Sequence, residues 1–128
     1  MVDIDNFKRI NDTSGHLLGD RVIRDVAEIL KRSVRLFDIC TRFGGDEFAV
    51  VMPGTGSEDA MRIAERIRER IASYRPVDAE LDHPPITVSL GLAVSTPDMT
   101  AREQLISDAD QALYLAKAAG KNCVKAKV

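Results

Sequence analysis

A chain of 128 residues, 45% apolar and 30% charged, has the size and makeup of one ordinary globular domain, which excludes a disordered or fibrous protein. Its formal net charge of −2 excludes a nucleic-acid binder that works through bulk positive charge, but not a small anion held by a few placed lysines and a metal. No apolar run reaches bilayer length and residues 1–5 carry no signal-peptide pattern, so a cytoplasmic domain without membrane contact is expected.

Val2–Asp5 opens the chain with apolar residues alternating with two aspartates, as in a strand with little room before it. Lys8–Leu18 is polar and carries Asn11-Asp12, Ser14-Gly15 and Gly19-Asp20, which read as turns or caps. From Asp20 to about Phe37, Val22, Ile23, Val26, Ala27, Ile29, Leu30 and Val34 recur at helical spacing. That stripe should face a sheet, leaving Arg24, Asp25, Glu28, Lys31 and Arg32 in water. Ile39–Phe43 and Glu47–Met52 are extended runs around Gly44-Gly45-Asp46, the pattern of a hairpin. The nearly continuous apolar run Phe48–Met52 suits a strand buried on both faces, and Pro53-Gly54 ends it.

Ser57 begins a second helix with Ala60, Ile63, Ala64, Ile67 and Ile71 inward. Arg75–Pro85, with three prolines, is a loop. Ile86–Val94 alternates Ile86, Val88, Leu90, Leu92 and Val94 on one side, a strand. A third helix runs from about Ala101 to Ala119 and stops at Gly120, and Asn122–Lys127 forms a last short strand. Helices interleave with strands, yet one neighbouring pair is a hairpin, so the fold class is α+β with helices on a mostly antiparallel sheet. Cys40 and Cys123 show no ligand spacing and read as reduced, small hydrophobes; His16, alone in a turn, receives no role.

Two acidic clusters stand where turns meet strands, Asp3-Ile4-Asp5 and Asp46-Glu47. Should the first strand lie beside the hairpin, the clusters converge, and crowded carboxylates favour a bound cation. Oxygen donors without nearby histidine or thiolate suit Mg²⁺ or Mn²⁺ rather than zinc, and an Mg²⁺ with few protein ligands usually serves phosphates. An EF-hand loop starting at Asp3 fails, because Lys8 stands where the sharp turn needs Gly and no helix precedes it. Asp5 alone reads as a turn residue.

The blocks DIDNFKRINDTSGHLLGD, RFGGDEF and ADQALYLAKAAGKN, in this order, resemble the GGDEF family of diguanylate cyclases over nearly the whole chain. The resemblance implies a nucleotide-cyclase or palm-like fold, a variant of the ferredoxin-like arrangement. It implies a reaction in which the 3′-hydroxyl of one GTP attacks the α-phosphate of another, giving cyclic dimeric GMP and pyrophosphate across a homodimer of domains. By the same resemblance Asp3, the Ile4 carbonyl and Asp46 would hold the metal, with Glu47 beside the reacting phosphate. Asn11 and Asp20 would read guanine, an assignment their donor and acceptor chemistry suits. Gly44 and Gly45 would form the turn under the substrate, and the backbone at Phe7 and Lys8, with Lys117 and Lys121, would contact the triphosphate. Lys121 replaces a more usual Arg and gives up bidentate geometry.

Arg35 and Asp38, ahead of Gly44, resemble the family's RxxD site for its own product, and Arg66 resembles an additional arginine of that site. Without the motif, Arg35–Asp38 would be a surface pair of little energetic weight. The family's helix before the first strand, opened by a motif like LTxLxNR, is not found before Asp3. The expectation is therefore a single domain over residues 1–128 that lacks that helix and part of the first strand. An upstream sensory or receiver domain would belong to the parent protein, which could itself be membrane-anchored. The competing reading is a non-catalytic GGDEF module that binds GTP or cyclic dimeric GMP and relays a signal; the intact Gly44–Phe48 motif favours the enzyme.

Overall fold

The computed structural model describes residues 1–77 and 79–127. In chain order the elements are β1 (Val2–Ile4), α1 (Phe7–Ser14), α2 (His16–Ser33), β2 (Ile39–Gly44), β3 (Glu47–Val51), α3 (Ser57–Ala72), β4 (Val88–Ala93), α4 (Arg102–Ala118) and β5 (Val124–Lys127). The strands form one sheet in the order β2-β3-β1-β4-β5, antiparallel throughout except for the parallel pair β4–β5. The α+β expectation with a mostly antiparallel sheet is met.

Short β1 sits at the centre because both its neighbours offer matched apolar partners. Val2 lies opposite Phe48 on one side and Leu90 on the other, and Ile4 lies opposite Val88. These side chains join Val22, Val26 and Leu30 of α2 and Ile63, Ile67 and Ile71 of α3 in the main core. One sheet face is thus covered by α2 and α3, and burial of their apolar stripes supplies most of the driving force.

The other face is covered only in part. Gly91 of β4 faces α4, where a Cβ would lie 2.1 Å from the Ala109 carbonyl oxygen and 2.2 Å from the Leu113 nitrogen. Glycine there lets the helix backbone lie directly on the strand. Val88 to Leu92 are consequently buried on both faces, whereas alternation along the sequence implied one buried side. The opposite correction applies to β3. Of its residues only Phe48 is fully buried and Val51 is about half exposed, because α4 packs over β4 and β5 and leaves the alternate face of β3 uncovered.

The polar segment Lys8–Leu18, read from sequence as turns, is mostly helical. It forms α1 and the first turn of α2, broken at Gly15 with φ of 87°. Ile10 is the fully buried residue of α1, so docking against α2 rather than propensity makes this short helix. Helix α2 also ends at Ser33, earlier than the apolar pattern implied, because Val34 turns extended. The hairpin, α3, α4 and β5 lie where expected within a few residues. The expected loop Arg75–Pro85 holds no strand or helix among its described residues; Asp78 lies outside them.

Candidate active site

Pairing of β1 with β3 puts Asp3 opposite Glu47 and lets the Ile4 N–H donate to the Asp46 carbonyl at 3.1 Å. The two acidic clusters therefore meet at one corner of the sheet, as the sequence required for a shared site. The hairpin tip is held by a residue that sequence reasoning passed over. Arg42 donates from Nε (2.9 Å) and Nη2 (2.6 Å) to the Gly45 carbonyl. A register shift between Arg42 and Gly44 and a positive φ at Gly45 complete the turn that carries Asp46. The arginine within RFGGDEF was the available signal.

Burial pushes the Asp3 carboxyl above the usual carboxylate range; the Lys117 ammonium works against this, while Asp46 and Asp5 add to it. Glu47 is raised for related reasons, burial first and then the negative charges of Asp110 and Asp3. Lys117, on the last turn of α4, places Nζ 2.9 Å from both Asp3 Oδ1 and Asp5 Oδ1. Burial would lower its pKa, but these two carboxylates hold it raised and the ammonium charged.

Asp5 is the largest departure from the sequence reading. It is no turn ornament but a buried carboxylate, 3% exposed, accepting from Thr87 Oγ1 (2.8 Å), Ser89 Oγ (2.6 Å), Lys117 and the Asn122 N–H (3.0 Å). Burial alone would raise its pKa; the hydrogen bonds outweigh it and hold Asp5 below the usual range. Lys121 lies on the adjoining turn, its Nζ 2.5 Å from Asn6 Oδ1 at the start of α1, where Phe7 and Lys8 begin the helix. A cleft of about 190 Å³ opens beside this point, between α1 and residues 83–87, with Asp5, Arg9, Thr13 and His83 in its lining.

Asn11 of α1 packs against Gly19 of α2, the residue before Asp20. Glycine at position 19 permits that close approach, since a Cβ there would stand 1.9 Å from Asn11 Oδ1. Asn11 is half-buried and Asp20 exposed, so a ligand could reach both from solvent.

Arg35 and Asp38 form a separate, local constellation. The Arg35 N–H (2.8 Å) and Nε (3.2 Å) donate to Asp38 Oδ2, and Nη2 donates to Oδ1 (3.2 Å). The same Nη2 also reaches Thr55 Oγ1 and the Pro53 carbonyl, and the guanidinium lies 4.7 Å from the Phe37 ring centroid. Burial pushes the Asp38 pKa up, but hydrogen bonds and charge from Arg35 prevail and hold it low. Arg66 reaches the nearby end of α2, donating from Nε (3.1 Å) and Nη2 to the Ser33 carbonyl.

The acidic corner suits a hard divalent cation. Its donors are all oxygens, burial raises Asp3 with a smaller push from the charges of Asp46 and Asp5, and a lysine ammonium already rests on Asp3 as a cation would. No group of three or more His, Cys, Asp or Glu side chains is gathered tightly enough to bind a metal by itself among the described residues. An ion that keeps waters and shares ligands with a substrate's phosphates needs no such cage. No helix among the described residues is long and apolar enough to cross a membrane.

A family model described as "Diguanylate cyclase, GGDEF domain" matches residues 1–123. Response regulator PleD of Caulobacter vibrioides is 43% identical over 128 residues, covering 99% of this chain and 28% of PleD. Diguanylate cyclase A of Treponema denticola is 39% identical over 124 residues, 97% of this chain and 33% of that protein. The chain thus spans about a third or less of these curated relatives. Among solved structures, the coiled coil and GGDEF domain of DgcB from Caulobacter crescentus, in complex with c-di-GMP, superposes with a TM-score of 0.90 at 37% identity, covering 98% of this chain and 66% of that one. Diguanylate cyclase SiaD of Pseudomonas aeruginosa, in complex with its activator SiaC, gives 0.90 at 32% identity, covering 98% and 48%.

Proposed function

The chain belongs to the GGDEF domain family, and from that premise we propose that it is a working diguanylate cyclase that condenses two GTP into cyclic dimeric GMP and pyrophosphate. The observation that carries the proposal is the meeting of Asp3 with Asp46-Glu47 at one sheet corner, beside a charged Lys117. A Mg²⁺ or Mn²⁺ held by Asp3, the Ile4 carbonyl and Asp46 would supply the positive charge that acidifies the attacking 3′-hydroxyl and steadies the phosphate oxygens.

The protein's own groups do the rest by positioning and charge. Asn11 and Asp20 read the guanine edge: an Asp accepts from N1–H and the exocyclic amine, two donors that adenine lacks. The backbone at Phe7 and Lys8, at the start of α1, receives phosphate oxygens, as helix N-termini do. Lys117 and Lys121 neutralise the triphosphate, and Gly44 and Gly45 leave room for it above the hairpin. Glu47, raised by burial and neighbouring acids, lies next to the reacting phosphate. One domain carries one GTP in this reading, so a homodimer brings the two substrates face to face, under the control of an upstream sensory or receiver domain. Cyclic dimeric GMP returning to Arg35, Asp38 and Arg66 would limit the output. The c-di-GMP complex of DgcB supports recognition of this ligand by the family's fold.

The test is product formation from GTP and Mg²⁺ by the full-length protein at high concentration, with Asp46→Ala as control. The expected result is cyclic dimeric GMP from the wild type and none from the variant. GTP bound by the wild type with no product at any concentration would leave the non-catalytic signalling module as the better reading.

A further inference from the structure

We propose that Asp5 is a positioning residue for the phosphate lysines, fixing both Lys117 and the left-handed turn that carries Lys121; this rests on the reading of the corner as a GTP site. The four donors to its carboxylate come from three separate parts of the fold. Thr87 and Ser89 come from the start of β4, Lys117 from the end of α4, and the Asn122 N–H from the turn that leads into β5. An ionised carboxylate has room for all four, and none of the buried side-chain polar atoms among the described residues lacks a partner.

The turn after α4 is where this matters. Gly120, Lys121 and Asn122 have φ of 111°, 67° and 45°, so two consecutive side-chain-bearing residues adopt the left-handed region. Such conformations persist when the surroundings hold them. Here the Lys121 N–H bonds back to the Ala116 carbonyl (3.1 Å) and the Asn122 N–H is fastened to Asp5. That conformation delivers Lys121 Nζ to Asn6, at the N-terminus of α1.

Lys117 is shared equally between Asp3 and Asp5. When a cation engages Asp3, Asp5 remains as the partner that keeps the ammonium at the site and free to turn one donor toward phosphate. A lysine side chain with three donors can serve both at once.

Asp5→Asn keeps the shape but turns one oxygen into an NH₂ group. Whichever way the amide lies, that group meets a partner able only to donate: the Lys117 ammonium on one side, the Asn122 N–H on the other. The experiment measures binding of a non-hydrolysable GTP analogue and of GMP, both with Mg²⁺, to the full-length protein. Asp5→Asn is expected to weaken the triphosphate about tenfold, the scale of a charge-assisted bond, and to leave GMP unchanged. In a Lys117→Met, Lys121→Met background the same change should add no further loss. Equal weakening of both ligands, no weakening of either, or a full further loss in the double-lysine background would overturn the inference. Should Asp5→Asn not fold, Thr87→Val and Ser89→Ala each remove one donor; a shift of about two- to threefold in the GTP-to-GMP ratio supports the proposal and an unmoved ratio sinks it. Wild-type protein that binds no GTP analogue would instead remove the underlying reading of the site.

Discussion

Two of the basic–acidic constellations among the described residues are built on opposite plans. Asp38 collects its partner from three residues away, so the loop alone can form the pair; the Asp38 side chain is covered while Arg35 stays partly exposed. Asp5 gathers donors from 82 to 117 residues away, and none of its bonds exists until β1, β4, α4 and the turn before β5 are assembled. The local pair draws on no other element for its charges, and reaches beyond its loop only through Arg35, to Pro53 and Thr55. The distributed one couples the fold's integrity to the geometry of the candidate site. A surface pair is worth about 0–1 kcal/mol, while removing one partner of a buried pair costs about 3–5 kcal/mol.

That contrast can be broken by experiment, beginning where the effect is largest. Asp5→Ala should lower unfolding free energy by about 3–5 kcal/mol in urea denaturation, since it takes away one of the two carboxylates on Lys117 and leaves the Asn122 N–H, Thr87 and Ser89 without their acceptor. A loss below about 1 kcal/mol would put Asp5 in the same class as Asp38. Gly91→Ala should cost about 1–3 kcal/mol or more, because the new Cβ meets backbone of α4 that no rotamer can clear. In the proposed mechanism the same substitution displaces Lys117 with its helix, so activity should fall more steeply than stability. Asp38→Asn should change stability by less than about 1 kcal/mol and, in the proposed role of this pair, raise the cyclic dimeric GMP concentration needed for half-inhibition.

The smallest expected effect is a pH dependence. Asp38 has a folded pKa held below its unfolded value, so its stabilising contribution is complete above the unfolded pKa and disappears as pH falls through the folded one. Urea midpoints of wild type and Asp38→Asn should therefore differ by a constant amount above about pH 5 and converge below the ordinary aspartate value near 4. Convergence on raising the pH instead would reverse the sign assigned to Asp38.

What could be read from sequence follows the same local–distributed division. The hairpin around Gly44-Gly45, the inner face of α3 and the end of α4 at Gly120 are written in short-range periodicity and turn chemistry, and the structure has them in place. So is the meeting of Asp3 with Asp46, given a central first strand. Helix α1 was hidden because Asn11, Asp12 and Ser14 favour turns in isolation and only packing against α2 overrides them. The second buried face of β4 was hidden because Ser89 and Gly91 look like solvent positions until a helix lies on them. The role of Asp5 was hidden most completely, since nothing within 80 residues of it shows a partner. Arg66, expected at a product site, has a protein partner that sequence did not show, the Ser33 carbonyl at the end of α2.

The place of β1 between β3 and β4 also dictates an order of events in folding. Its Asp3 pairs with Glu47 on one edge and with Ser89 on the other, the second partner arriving nearly twice as far along the chain. During synthesis the β2–β3 hairpin, α2 and α3 can associate while one edge of β1 still lacks its neighbour. Closing that edge waits for residues 88–93, and such long loop closures slow folding and leave an open strand edge in the meantime. The acid-bearing strand is therefore sealed only once β4 is available to pair with it.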